Sequence, residues 1–246
     1  MMIGIIGYGM VGKAVEFGFS KTSIVYSDPQ YNTITIEDVC RENPSVIFVC
    51  VPTPTDETNY SILIDVLDTI QSQNYQGITV VKSTILPKYL QGYDVLYNPE
   101  FLSRATANED FVNPPMVIIG GDYHKAEQLL EVYRTGSTVN LDKVFITTIE
   151  NACMAKYCMN SFYATKVTFM NQMYDVAQTV GADWRHVNTI LRNHPWMGTH
   201  HFEVPGPDGQ RGFGGPCLPK DTEALTKEFQ VPLLDSVLLL NKVYRQ

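Results

Sequence analysis

Cys217 lies in the stretch Gly212-Phe213-Gly214-Gly215-Pro216-Cys217-Leu218-Pro219-Lys220-Asp221. Glycines on one side and prolines on both hold this thiol on a rigid turn just ahead of a helical segment. A thiol at a helix N-terminus beside a lysine is pushed toward thiolate, the nucleophilic form. A cysteine buried in a tight turn is the competing reading of the same residues. Cys40, Cys50, Cys153 and Cys158 sit among apolar residues and read as core filler. Lys156 and Asn160 stand four apart in a helical stretch and so share a face, although a helical lysine is ordinarily a solvated surface charge. Asn98-Pro99-Glu100-Phe101-Leu102 follows a predicted strand end, and ligands of open α/β sheets sit at such ends. Glu100 is therefore a candidate acid or base, or alternatively a helix-start acid. Ser83-Thr84 occupies a similar strand-end position. His194, His200 and His201 share a loop without helical H-x-x-x-H spacing or a carboxylate at ligand spacing, so no metal is expected.

The second chemical signal is Gly7-Tyr8-Gly9-Met10-Val11-Gly12, a G-x-G-x-x-G pattern between an apolar run and a helical segment. The first glycine permits a tight turn, the second lets a pyrophosphate approach the backbone, and the third lets helix pack on strand. The helix N-terminus then offers unpaired N–H groups to the phosphates. Asp28 ends the second apolar run, 21 residues after Gly7, near the ~20 expected of a ribose-binding carboxylate. Such a carboxylate accepts hydrogen bonds from the ribose hydroxyls and repels a 2′-phosphate. The spacing therefore favours NAD over NADP.

Elements that would position these groups alternate along the first half. Apolar runs at 2–6, 23–26, 46–51, 78–81, 95–97, 117–119 and 144–146 read as strands. Helical spacing between some of them, as at 62–70 and 125–133, points to βαβ units and a parallel, doubly wound sheet. After about residue 148 the pattern becomes helical. Residues 150–180 lack proline and glycine, and a helix of that length spans ~45 Å, enough to bridge domains or form a dimer surface. A second helix is predicted over 182–192, a Gly- and Pro-rich loop over 194–219, and a last helix over 237–245. The expected division is an α/β cofactor domain over 1–148 and an all-helical domain over 149–246.

Composition limits the partners. Eighteen basic against 26 acidic residues give a net charge of −8, which argues against nucleic acid or an anionic membrane as the main partner. No apolar run approaches the ~20 residues of a membrane span, and the N-terminus lacks a signal-peptide pattern. Five cysteines without paired spacing argue against a disulfide framework. A cytoplasmic, reducing setting is expected.

Together the stretches at 7–12, 51–56, 80–87, 97–114, 155–173, 180–184 and 212–225 resemble the UDP-glucose/GDP-mannose dehydrogenase family, in family order. The resemblance implies a Rossmann domain followed by a helical central domain, while the long helix and the apolar stretch 231–243 leave surface that usually marks an interface, so a homodimer is expected. The family's C-terminal UDP-binding domain is expected to be absent from this chain. It implies a four-electron oxidation of a nucleotide sugar at C6 with two NAD. In that chemistry Cys217 captures the aldehyde, and Lys156 with Asn160 stabilises the oxyanion. Asp221, a water and Thr84 serve the first proton abstraction, while Glu100 acts on water during thioester hydrolysis. Cofactor contacts are implied at Gly7, Gly9, Met10, Val11, Gly12, Asp28, Pro52, Thr53 and Thr84. Substrate contacts are implied at Glu100, Phe101, Leu102, Lys156, Asn160, Phe213 and Gly214. Arg104 and Ala105 stand where the family commonly has an acidic residue and a glycine. Two alternatives remain at this point: a two-electron hydroxyacid dehydrogenase, whose chemistry needs no cysteine, and a non-catalytic NAD-binding or dimerisation module.

Overall fold

The computed structural model describes residues 1–53 and 60–246. They form two compact units, Met1–Lys156 and Tyr157–Gln246. The first is built on strands β1 (Met2–Ile6), β2 (Ser23–Ser27), β3 (Val46–Val49), β4 (Ile78–Val81), β5 (Val95–Tyr97), β6 (Val117–Gly120) and β7 (Val144–Thr147), in the order β2-β1-β3-β4-β5-β6-β7. Strands β1 to β5 pair in parallel. Parallel pairing needs both faces covered, which is why Ile3, Ile5 and all of Val46–Val49 are fully buried. Phe19, Phe48 and Tyr133 meet at the centre of this core with ring centroids 5.3–5.9 Å apart. The chain leaves β1 toward β2 and returns to place β3 on the other side. That reversal opens a crevice at the carboxyl ends of β1 and β3.

Helices α1 (Met10–Gly18), α2 (Ile36–Arg41), α3 (Ser61–Ser72), α4 (Ala107–Val112) and α5 (Tyr123–Gly136) separate the strands. Local signals fix their starts. Thr35 and Asp38 make a reciprocal capping box on α2, and Asp122 accepts from the Lys125 N–H to cap α5. The parallel, doubly wound sheet expected from the sequence is present with one exception, as β6 runs antiparallel to β5 and pairs through Tyr97 and Gly120. The length of α4 does not force this, since α2, also six residues, lies between the parallel strands β2 and β3. Being antiparallel, β6 begins at the end where β5 stops.

In the second unit, α6 (Ile149–Thr179, begun in the first unit) is followed by α7 (Trp184–Arg192), α8 (Leu218–Glu228) and α9 (Pro232–Tyr244). Gly181, at φ +72°, ends the long helix. Helix α9 starts earlier than its apolar spacing suggested, because Pro232 suits a first helical turn. Two small cores form here. Met170, Ala177, Trp184, Phe202 and Val204 make one, and Ala164, Phe213 and Val237 make the other. The irregular chain between α7 and α8 is tied down by helix side chains. Asn171 Oδ1 accepts from the Gly212 N–H at 3.1 Å. Asn241 accepts from the Phe213 N–H at 2.7 Å and donates to its C=O at 2.9 Å.

Candidate functional site

The glycine loop leaves β1 through Gly7, whose φ of +88° only glycine adopts readily. A Cβ on Gly7 would come within 2.8 Å of the Cys50 backbone, and one on Gly12 would overlap the Gly7 carbonyl oxygen. A Cβ on Gly9 would meet nothing within 4 Å. Two glycines are thus required by packing, whereas the third keeps space open before the N-terminus of α1. That terminus has no side-chain cap, so its first-turn N–H groups are suited to an anion. Met10 and Val11 open the helix and are half-buried. The Tyr8 N–H donates to Asp28 Oδ2 at 2.7 Å and the Gln30 N–H to Oδ1 at 2.9 Å, which fixes the carboxylate at the end of β2. The Tyr8 ring stacks on Tyr26 at 3.9 Å. Burial and the Glu16 carboxylate push its phenol up to about 12. These residues fit the pyrophosphate and ribose of a dinucleotide. Thr53 is buried and Pro52 exposed; the rest of the 51–56 stretch lies outside the described residues.

A second group gathers beyond β4 and β5. Thr84 is buried, and the Ser83 hydroxyl donates to Val51 O at 2.6 Å. Lys156 Nζ donates to the Glu100 carbonyl at 2.5 Å and lies 3.4 Å from Glu100 Oε1. Its side chain is only 5% exposed, so the ordinary solvated helical lysine is corrected to a buried, paired one. The Leu102 N–H donates to Glu100 Oε2 at 2.8 Å, and the Phe101 ring centroid lies 5.0 Å from Lys156 Nζ. Lys82 is buried beneath the same turn and donates to Asn98 O at 3.1 Å and Oδ1 at 2.9 Å. Burial lowers its ammonium to about 8, against the opposing pull of Cys50 and Glu100. Burial likewise raises the Cys50 thiol to about 12, far from a reactive thiolate.

The third group belongs to the helical unit. Cys217 is half-buried at the N-cap of α8, and its C=O accepts from the Asp221 N–H at 2.9 Å. The Asp221 carboxylate is 1% exposed, with Asn160 Nδ2 at 2.5 Å on one oxygen and Lys220 Nζ at 2.5 Å on the other. A charge buried this deeply is tolerated because both oxygens are paired. Phe213 turns its ring into the small core, while the space beside Gly214 is taken by the flexible Arg245 guanidinium. Cys40 and Cys153 are buried as core residues, and Cys50 packs partly buried against the sheet core. Cys158 is corrected: it is exposed, on a face of α6 that lies outside the core.

Two models of one family match this chain. The NAD binding domain of the UDP-glucose/GDP-mannose dehydrogenase family matches residues 25–136, and the central domain of that family matches residues 150–243. The chain belongs to the UDP-glucose/GDP-mannose dehydrogenase family. It is 32% identical to UDP-glucose 6-dehydrogenase of Rickettsia bellii, over 80% of this chain and 48% of that protein. It is 33% identical to GDP-mannose 6-dehydrogenase of Pseudomonas aeruginosa, over 80% of this chain and 50% of that protein. The solved UDP-glucose dehydrogenase from the hyperthermophilic archaeon Pyrobaculum islandicum shares the fold, with a TM-score of 0.81 at 24% identity. That match covers 98% of this chain and 68% of that one. The chain thus spans about half the length of the curated relatives it matches.

Membership assigns an NAD-binding domain to residues 25–136. Among the described residues, no helix is long and apolar enough to cross a membrane. Several positioning residues escaped the sequence reading. Lys82, Asn98 and Tyr133 brace the Glu100 turn, and Asn171, Asn241 and Arg245 brace the loop before Cys217. Their partners lie 16 to 41 residues away in sequence. The one local signal was a buried-type run, Val80-Val81, leading straight into a lysine.

Proposed function

We propose that the chain oxidises the C6 alcohol of a UDP-sugar, UDP-glucose first among them, to the carboxylate. The observation that carries this is Cys217 at the head of α8 beside the buried Asn160–Asp221–Lys220 cluster. Oxidation of an alcohol only to a carbonyl needs no nucleophilic thiol, whereas oxidation onward to an acid gives it a task. Residues 1–148 hold NAD through Gly7, Gly9, Met10, Val11, Gly12, Asp28, Pro52, Thr53 and Thr84, and residues 149–246 carry the thiol. NAD supplies the hydride acceptor for each of the two oxidations.

Asp221, with a water and Thr84, takes the proton of the C6 hydroxyl as the first hydride leaves and the aldehyde forms. The Cys217 thiolate adds to the aldehyde carbon, giving a thiohemiacetal whose oxyanion is stabilised by Lys156 and Asn160. Loss of the second hydride makes a thioester. Glu100 then activates water, which displaces the thiolate and leaves the carboxylate. The sum consumes one alcohol, one water and two NAD⁺, and gives one carboxylate, two NADH and three protons. Glu100, Phe101, Leu102, Lys156, Asn160, Phe213 and Gly214 are assigned to the sugar nucleotide.

A homodimer in a reducing cytoplasm completes the proposal. Helix α6 leaves Phe162, Phe169 and Val176 exposed at seven-residue spacing, and α9 leaves Leu233, Leu239 and Val243 exposed. Such apolar surface usually marks an interface. The direct test is Cys217→Ser assayed with NAD and UDP-glucose, GDP-mannose or UDP-N-acetylmannosamine. Loss of all acid product is expected, and unchanged acid formation would refute the thiol's role.

A further inference from the structure

The turn that carries Glu100 is gripped by two buried ammonium groups, and the proposed chemistry uses only one of them. Lys156 holds the turn from α6, at the Glu100 carbonyl and carboxylate. Lys82 holds it from the end of β4, donating to both oxygens of Asn98. Asn98 is the hub of this second grip. Its N–H continues the sheet by donating to Val81 O at 2.9 Å, and its Nδ2 donates to Ile118 O at 2.7 Å. Its Oδ1 also accepts the Tyr133 hydroxyl at 2.8 Å. Every polar group of Asn98 is thereby committed, two residues before Glu100.

The setting of Lys82 is costly. The side chain is buried, and its nitrogen lies 5.4 Å from the Phe111 ring centroid and 6.0 Å from that of Phe48. An apolar residue of similar volume would fill this space without desolvating a charge. The ammonium instead fixes a turn that main-chain bonds alone would leave looser, on the wall of a cavity of about 30 Å³ shared with Glu100, Phe101 and Leu102. That volume suits a single water.

We infer that Lys82 is a positioning residue: through Asn98 it sets the Glu100 turn for the attack of water on the Cys217 thioester. The inference rests on the four-electron reading above. It places the effect of Lys82 on hydrolysis of the thioester, the step in which Glu100 activates water, and not on cofactor binding or the hydride transfers.

The test is Lys82→Met in the full chain, with NAD and UDP-glucose as probes. Rapid mixing is expected to show a burst of two NADH per active site, followed by steady turnover slowed at least tenfold. Intact mass should show the sugar-acyl adduct on Cys217, and kcat/KM for UDP-glucose should stay within about threefold while kcat and KM fall together. A general loosening would lower the burst and the NAD affinity together, with no adduct, and would overturn the inference. Tyr133→Phe removes one bond to Asn98 and should accumulate the same adduct to a smaller extent. It carries the test if Lys82→Met does not fold, and absence of adduct in it is then decisive. Wild-type protein that gives neither NADH nor adduct would sink the four-electron reading itself, and the inference with it. Active wild type with adduct-free variants would sink the inference alone.

Discussion

Gly9 and Gly12 sit three residues apart and differ sharply in what surrounds them. A methyl on Gly12 collides with the Gly7 backbone, which has nowhere to go, whereas a methyl on Gly9 projects into open space. Gly12→Ala should therefore lower stability by about 1–3 kcal/mol as an overpacked contact and abolish NAD binding. Gly9→Ala should leave the melting temperature unchanged yet weaken NAD at least tenfold; thermal melts paired with NAD titrations check both. Lys82 gives a pH prediction at the same scale. Its folded-state value of about 8 lies below its ordinary 10.5 because burial disfavours the charge. Between those values the unfolded chain holds a proton that the folded chain has released. The contribution of this group to stability therefore rises with pH across that window. Urea midpoints at pH 7.5 and 9.5 should show the wild type gaining relative to Lys82→Met; parallel behaviour would contradict the assignment. Glycine-loop spacing was legible in the sequence because its constraints are local. The burial of Lys156 and the exposure of Cys158 were not, since they depend on which face of α6 is covered by residues far away in the chain.

At the scale of elements, the strands were legible almost to the residue because buried parallel strands are short, near-continuous apolar runs. The reversal of β6 was hidden, because an apolar run reads the same in either strand direction. The loop before Cys217 was legible as a loop, but its anchors were not: an asparagine within a helical pattern reads as solvated surface. Asn241 is the informative anchor, because it satisfies both main-chain groups of Phe213. Asn241→Ala leaves the buried Phe213 N–H unpaired, at a cost of about 1–3 kcal/mol, while Arg245 Nε still donates to the C=O at 3.1 Å. A urea midpoint lowered accordingly, with faster alkylation of Cys217 by iodoacetamide, is the expected result. An unchanged alkylation rate would mean that the loop is held by other contacts.

For the whole molecule, the net charge of −8 supplies no general positive field, so under the proposed function anionic ligands are to be met by local groups, the α1 terminus and Lys156 among them. The apolar stripes on α6 and α9 predict a dimer, which light scattering at micromolar concentration checks; a monomer would refute it. The measurement that decides most is the number of NADH formed per sugar carboxylate when the purified chain is given NAD and UDP-glucose. Two NADH for each UDP-glucuronate is the predicted result. One NADH per product, with a carbonyl and no acid, would contradict the proposed chemistry at Cys217.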